Sequence, residues 1–283
     1  MINTCFQFAE RTKYMIIDFH THIFPENIAP HAIHSLESEN RLCAKGTATL
    51  TGIREEMKNS HVDYSVILPV VTNPSQFDSI NRYAIEINQT EGIISFGGIH
   101  PDNEDIDDKL KFIKKSGLKG VKLHPDYQGP TYIDDLKYIK IIKKCIELNL
   151  CVVIHAGMDV GRPIPIHCPP DHAYLMLKEV LTNCPNDSKI VLAHMGGMMQ
   201  WDLVEQLLVG KNVYFDFAYC NILGSQEQML RIIKKHGANR ILFGTDFPWT
   251  SQSQLISYIN QLPLTREEKE CIFYKNAKKL LEL

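Results

Sequence analysis

The sequence predicts an α/β protein folded as a single-domain (β/α)8 TIM barrel, and three observations predict it. Eight short apolar segments recur along the 283 residues, each followed by a stretch with helical periodicity. Their apolar runs are nearly continuous, as expected of parallel strands whose outer faces are covered by helices. No linker, composition break or low-complexity run divides the repeats, so residues 1–283 form one domain. An open doubly wound sheet is the alternative. It would more often carry a glycine-rich phosphate loop after its first strand, and this chain has His20-Thr21-His22 there.

Residues 1–13 read as an N-terminal extension, and Met15–Asp18 as the first strand. A long loop with Pro25 and Pro30 is expected over Ile23–Leu50, then a short helix over Thr51–Asn59. The second strand is Tyr64–Pro69, followed by a helix from Asp78. The third, Ile93–Ile99, ends at His100-Pro101. A helix over Asp105–Lys115 stops at Gly117, a C-cap signal. The fourth strand, Leu118–Leu123, ends at His124-Pro125, and Leu136, Ile139, Ile142 and Cys145 mark the apolar stripe of the next helix. The fifth strand, Cys151–His155, leaves through a Pro-rich loop into a helix over 171–182. Lys189–His194, Val213–Phe217 and Arg240–Asp246 are the last three strands, and a helix over 266–283 closes the chain.

Composition narrows the function. Hydrophobic content of 44% and charged content of 22% are those of an ordinary globular protein. A net charge of −3 argues against nucleic acid or a membrane surface as partner. There is no apolar run long enough to span a bilayer, and Met1–Lys13 lacks the apolar core of a signal peptide. Eight cysteines without C-x-x-C spacing read as reduced thiols, which together with the missing signal points to the cytoplasm.

The polar residues collect where the strands end, the face on which such barrels build active sites. His20 and His22 end strand one, His100 strand three, Lys122 and His124 strand four, His155 strand five, His194 strand six and Asp246 strand eight. A single buried histidine is usually a hydrogen-bonded core residue. So many unpaired polar groups on one rim would cost free energy, and a divalent metal removes that cost. Imidazoles and a carboxylate suit zinc, and three or four protein groups plus water make an open site. In regular alternation Asp18 shares the face of His20. It either orients that histidine or satisfies a buried strand.

Asp18-x-His20-x-His22, His155, His194 and Asp246 resemble the amidohydrolase superfamily. Gly120-Val-Lys-Leu-His-Pro125, Leu192-Ala-His-Met-Gly-Gly197 and Ile241-Leu-Phe-Gly-Thr-Asp-Phe-Pro248 are similar to its amidohydrolase-2 branch, which includes aminocarboxymuconate-semialdehyde decarboxylase-like enzymes. The resemblance spans nearly the whole chain. It implies that His20, His22, His155 and Asp246 hold one metal, Zn2+ or else Mn2+. His194 would transfer a proton, polarise the substrate or ligate a second ion. Binuclear members carry a carboxylated lysine at the position of Lys122; the other reading is an amine paired with Asp246 or an anionic substrate.

The implied reaction is hydrolysis of an amide, ester or lactone of a small cyclic or carboxylated molecule. Asp246 takes the proton of an activated water and His194 polarises the carbonyl. Non-oxidative decarboxylation of an aromatic or unsaturated acid is the alternative. A TatD-like nuclease would tend to carry glutamate where Lys122 stands, and a non-catalytic metal-binding module leaves the ligand set without purpose. Arg162, His124 and Trp249 are candidate substrate contacts, with His167, Cys168 and His172 on the same rim and Trp201 and Tyr219 as candidate stacking residues. The expected partners are a small-molecule substrate and a second copy of the chain, as a homodimer.

Overall fold

The computed structural model describes residues 14–40, 43–161, 164–182 and 189–283. The extension 1–13 and Arg162 lie outside the described residues. Parallel strands run over Ile17–Thr21, Tyr64–Ile67, Ile93–Ser95 with its continuation Gly97–Gly98, Gly120–Leu123, Cys151–Ile154, Ile190–Leu192, Tyr214–Asp216 and Ile241–Leu242. They pair in sequence order, as connections through helices require. The third strand is split at Phe96, whose N–H still bonds the Ile67 carbonyl at 2.9 Å. The eighth strand returns to the first: Phe19 N–H bonds Phe243 O at 2.8 Å, and Thr21 bridges Phe247 in parallel. The barrel is therefore closed, and the described residues form one domain around it.

Side-chain alternation sorts the strands' apolar residues into two layers. Val121, Leu123, Val152, Ile154, Ile190, Leu192 and Phe215 pack outward against the helices. Phe19, Val66, Phe96, Val153, Val191 and Leu242 fill the inside, with Ala277, Leu280 and Leu281 of the final helix packed against them. Full burial of one such side chain contributes roughly 1.5–3 kcal/mol. That interior layer forms the floor on which the polar strand ends rest.

The helix Leu136–Glu147 shows how the outer layer is specified. Its apolar stripe buries Tyr138, Ile139, Ile141, Ile142 and Cys145, and the Asp135 side chain accepts the Lys137 N–H as its N-cap. The loop expected over Ile23–Leu50 instead contains a helix, Ala29–Asn40. Pro30 stands in its first turn, where a missing N–H costs nothing, so a residue that reads as a loop marker opens a helix. Among the described residues no helix is long and apolar enough to cross a membrane.

Candidate metal centre

The first strand brings its two histidines to the rim through an irregularity. Its pairing with the second strand shifts register between Asp18 and Thr21. Phe19 therefore packs inside the barrel while Asp18 faces outward, and His20 still turns inward. Asp18 does not share the face of His20. Its carboxylate accepts Thr245 N at 3.0 Å, Thr245 Oγ1 at 2.6 Å and Gln252 Nε2 at 2.8 Å, tying the first strand to the eighth and its following helix. Burial, only partly offset by these bonds, pushes the Asp18 carboxyl up to about 7.

His20 Nε2 and His22 Nε2 lie 3.1 Å apart, and Asp246 Oδ1 is 3.4 Å from the first and 3.3 Å from the second. Each ring's other nitrogen is committed. His20 Nδ1 donates to Asp216 Oδ2 at 2.8 Å, and His22 Nδ1 donates to the Leu68 carbonyl at 2.8 Å. With those protons outward, both Nε2 atoms direct lone pairs at the Asp246 carboxylate. Burial, then the Lys122 ammonium, hold the His20 imidazole well below its ordinary value. Burial alone would raise Asp246, but the neighbouring His20, His22 and His194 overcome it and hold the carboxyl well below the usual range. Three lone-pair donors this close repel one another unless a cation or proton lies among them. Their chemistry fits a divalent metal, with the Asp216–His20 pair as the carboxylate that orients a ligand.

Asp216 is one of the residues that sequence reasoning missed, with Asp159 and Asp126. Asp216 is fully buried, and its Oδ1 also accepts the backbone N–H of His194 at 2.9 Å and of Ala218 at 3.1 Å. Gly244 makes room for this arrangement. A Cβ there would stand 2.9 Å from the His20 Cβ and 3.4 Å from the Asp216 Cβ. Asp246 and His194 have φ of 65° and 58°, in the left-handed region that non-glycine residues rarely occupy. The Asp246 N–H is pinned to the His20 carbonyl at 2.8 Å, so the strained residue is held by the strand that supplies the ligands.

The other wall comes from strands four to six. Lys122 is fully buried, with Nζ 3.2 Å from His20 Nε2. Desolvation lowers its ammonium to about 8, with Asp216 and Asp246 the largest compensating charges. His194 gives its Nδ1 proton to Ala218 O at 2.9 Å and faces His155 Nδ1 through Nε2 at 2.9 Å. His124 stacks on His155, with ring centroids 4.0 Å apart and planes 10° from parallel, and its Nε2 meets Asp159 Oδ2 at 3.1 Å. Burial raises Asp159, but the His124 hydrogen bond and charge bring it down to about 2. Ligand atoms of His124, His155 and Asp159 also fall within 4.8 Å of one another. Stacked rings, however, direct their lone pairs side by side rather than at a common point, so this group suits hydrogen bonding better than chelation.

A cavity of about 220 Å³ opens above both walls, lined by His20, His22, Lys122, His124, His155, His194 and Asp246 together with Phe24, Tyr219 and Trp249. The candidate contacts His124 and Trp249, and the stacking candidate Tyr219, thus reach it. Trp201 is instead a buried prop, its indole N–H bonding the His194 carbonyl at 3.0 Å. His100 accepts the Asp102 N–H at 3.1 Å, and His172 bonds Asp134 at 2.7 Å; neither lines the cavity. Cys168 is buried and burial raises its thiol well above the ordinary value, which suits packing rather than attack.

The family profile described as Amidohydrolase matches residues 17–283. The chain belongs to the amidohydrolase family. No curated protein sequence matches it at significant similarity. Its fold is shared with 5-carboxyvanillate decarboxylase from Sphingomonas paucimobilis at 14% identity and a TM-score of 0.69, over 95% of this chain and 99% of that one. It is also similar to an Acinetobacter baumannii protein described as a probable 2-pyrone-4,6-dicarboxylic acid hydrolase, at 16% identity and a TM-score of 0.63, over 95% and 100%. A third similar structure is a dihydroxybenzoic acid decarboxylase from a Polaromonas species with bound manganese and 2-nitroresorcinol, at 13% identity and a TM-score of 0.67, over 95% and 97%. As a member of this family, which is metal-dependent, the chain is an enzyme.

Proposed function

We propose that the chain is a metal-dependent hydrolase of a small, cyclic, carboxylated ester or lactone. The observation that carries this reading is the convergence of His20 Nε2, His22 Nε2 and the Asp246 carboxylate at the cavity floor, with one side open. His155, which faces His194 Nε2 through Nδ1 and lies outside the His20–His22–Asp246 group, would complete the ligand set. A divalent ion held there, zinc or manganese, supplies Lewis acidity and lowers the pKa of water.

The chain's own residues do the rest. Asp246 is ionised and accepts the proton of the attacking water, then delivers it to the leaving oxygen. His194 keeps its Nδ1 proton on Ala218 O, so its Nε2 lone pair faces the site, where it can relay to the leaving oxygen the proton that Asp246 takes from water. Lys122, uncarboxylated and facing the cavity as an ammonium, binds the substrate carboxylate, and Phe24, Tyr219 and Trp249 supply apolar surface for a ring. His124 lines the same cavity, and Arg162, in the loop after the fifth strand, is a further candidate for the substrate carboxylate.

Non-oxidative decarboxylation of an aromatic acid is the second reading, favoured by the decarboxylases among the similar structures. Metal analysis of protein purified without chelators should find about one zinc or manganese per chain. Incubation with pyrone and aromatic carboxylates then separates the readings. Ring-opened acid without CO2 is expected; stoichiometric CO2 would establish the lyase, and metal-free active protein would end both.

A further inference from the structure

The two nitrogens of His155 meet different surroundings. Nδ1 faces the cavity and His194 Nε2 at 2.9 Å. Nε2, at the back of the ring, is buried and has no hydrogen-bond partner. The nearest carboxylate oxygen to it is Asp126 Oδ2, at 3.9 Å. The Asp126 side chain is 1% exposed, and its other oxygen is pinned twice: Oδ1 accepts the His167 backbone N–H at 2.8 Å and His167 Nδ1 at 2.9 Å. The His124 ring, stacked on His155, fixes the plane in which those nitrogens point.

The proton count makes this asymmetry meaningful. His194 gives its Nδ1 proton to Ala218 O, so its Nε2 presents a lone pair to His155. If His155 is to ligate a cation through Nδ1, its own proton must sit on Nε2, beside Asp126. We propose that Asp126 is a positioning residue that sets the Nε2–H tautomer of His155 and so aims the Nδ1 lone pair into the metal centre. The proposal rests on the metal-centre reading above. Asp126 lies behind the His155 ring as Asp216 lies behind the His20 ring, but at 3.9 Å rather than at the 2.8 Å hydrogen-bond distance of that pair. The strand-four exit His124-Pro125-Asp126 thereby supports the strand-five histidine from its face and from its back.

The variant Asp126→Asn tests this with a built-in inversion. The His167 backbone N–H can only donate, so the carbonyl of the introduced amide must take that place and its NH2 must face His155 Nε2. An N–H donor there forces the opposite tautomer, which aims a proton rather than a lone pair at the metal. Two readouts are combined: zinc affinity by competition with a chromophoric chelator, and the ring 15N shifts of His155 in zinc-loaded protein. Wild type is expected to carry the proton on Nε2, and Asp126→Asn to bind zinc about 10- to 100-fold more weakly with that proton signal lost. Equal affinity and an unchanged tautomer in Asp126→Asn would overturn the role of Asp126 and leave the metal centre standing. A wild type that binds neither zinc nor manganese would remove both. If the variant fails to fold, the metal-free wild type decides alone: Nε2–H before any ion is bound supports the proposal, and Nδ1–H overturns it.

Discussion

Histidines occupy both ends of this barrel, and they are bonded in opposite ways. At the C-terminal end, His20 and His22 each anchor one nitrogen outward and leave the other aimed at Asp246. At the N-terminal end, His236, the last residue of the helix Gln226–His236, packs beside the start of the seventh strand with both nitrogens satisfied. Its Nε2 donates to Val213 O at 2.8 Å, its Nδ1 accepts the Gly210 N–H at 3.0 Å, and its ring stacks on Phe215. His20 and His236 are both buried, so burial does not separate a ligand from a structural histidine. The distribution of hydrogen bonds does. A structural imidazole uses its donor and its acceptor locally, whereas a ligand spends its donor on orientation and keeps its acceptor for something else.

The comparison breaks first at Asp246. Asp246→Asn keeps the shape but removes the ionised proton acceptor, and turnover should fall by about 10³-fold or more, counting loss of both a ligand and a base. Full activity with the identified substrate would mean that the C-terminal cluster is structural after all. Asp216→Asn tests orientation rather than ligation. Zinc affinity, read by chelator competition, should drop about 10- to 100-fold because His20 loses its anionic partner. Gly244→Ala should act through position alone, since its Cβ would press on the His20 Cβ from 2.9 Å. We expect kcat/KM to fall by about 10- to 100-fold with metal content retained. A loss of thermal stability without a loss of rate would show that the His20 ring absorbs the push.

Much of this is legible in the sequence because the barrel writes it twice, in the apolar strand pattern and in the residue that ends each strand. His20, His22, Lys122, His155, His194 and Asp246 all line the one cavity. What escapes has a physical reason each time. Asp216 sits inside Tyr214-Phe215-Asp216-Phe217, one carboxylate among aromatics; a charge in so apolar a strand is the available signal, since burial without a partner is costly. Strict alternation assigns Asp18 to the face of His20, and a register shift between Asp18 and Thr21, which no local propensity announces, defeats it. The helix Ala29–Asn40 is hidden by its polar composition and by Pro30.

The smallest expected effect lies at His236 and concerns stability alone. Burial is the main cause that lowers its imidazole to about 4. The hydrogen-bond pattern agrees, because a second proton on Nδ1 would point at the Gly210 N–H. The folded value lies below the unfolded one of about 6.5, so above pH 6.5 both states are neutral and the full stability is present. As pH falls from about 6.5 toward 4 the unfolded chain takes up a proton that the folded chain refuses, and stability is lost by up to about 3 kcal/mol. Below about 4 this loss levels off. Urea unfolding at pH 7 and pH 5 should therefore show a fall in ΔG that shrinks in His236→Gln, an uncharged replacement, whose activity at pH 7 should match the wild type per folded molecule. An undiminished fall in that variant would place the acid sensitivity among the C-terminal histidines instead, and the two ends of the barrel would no longer differ in the way their hydrogen bonds imply.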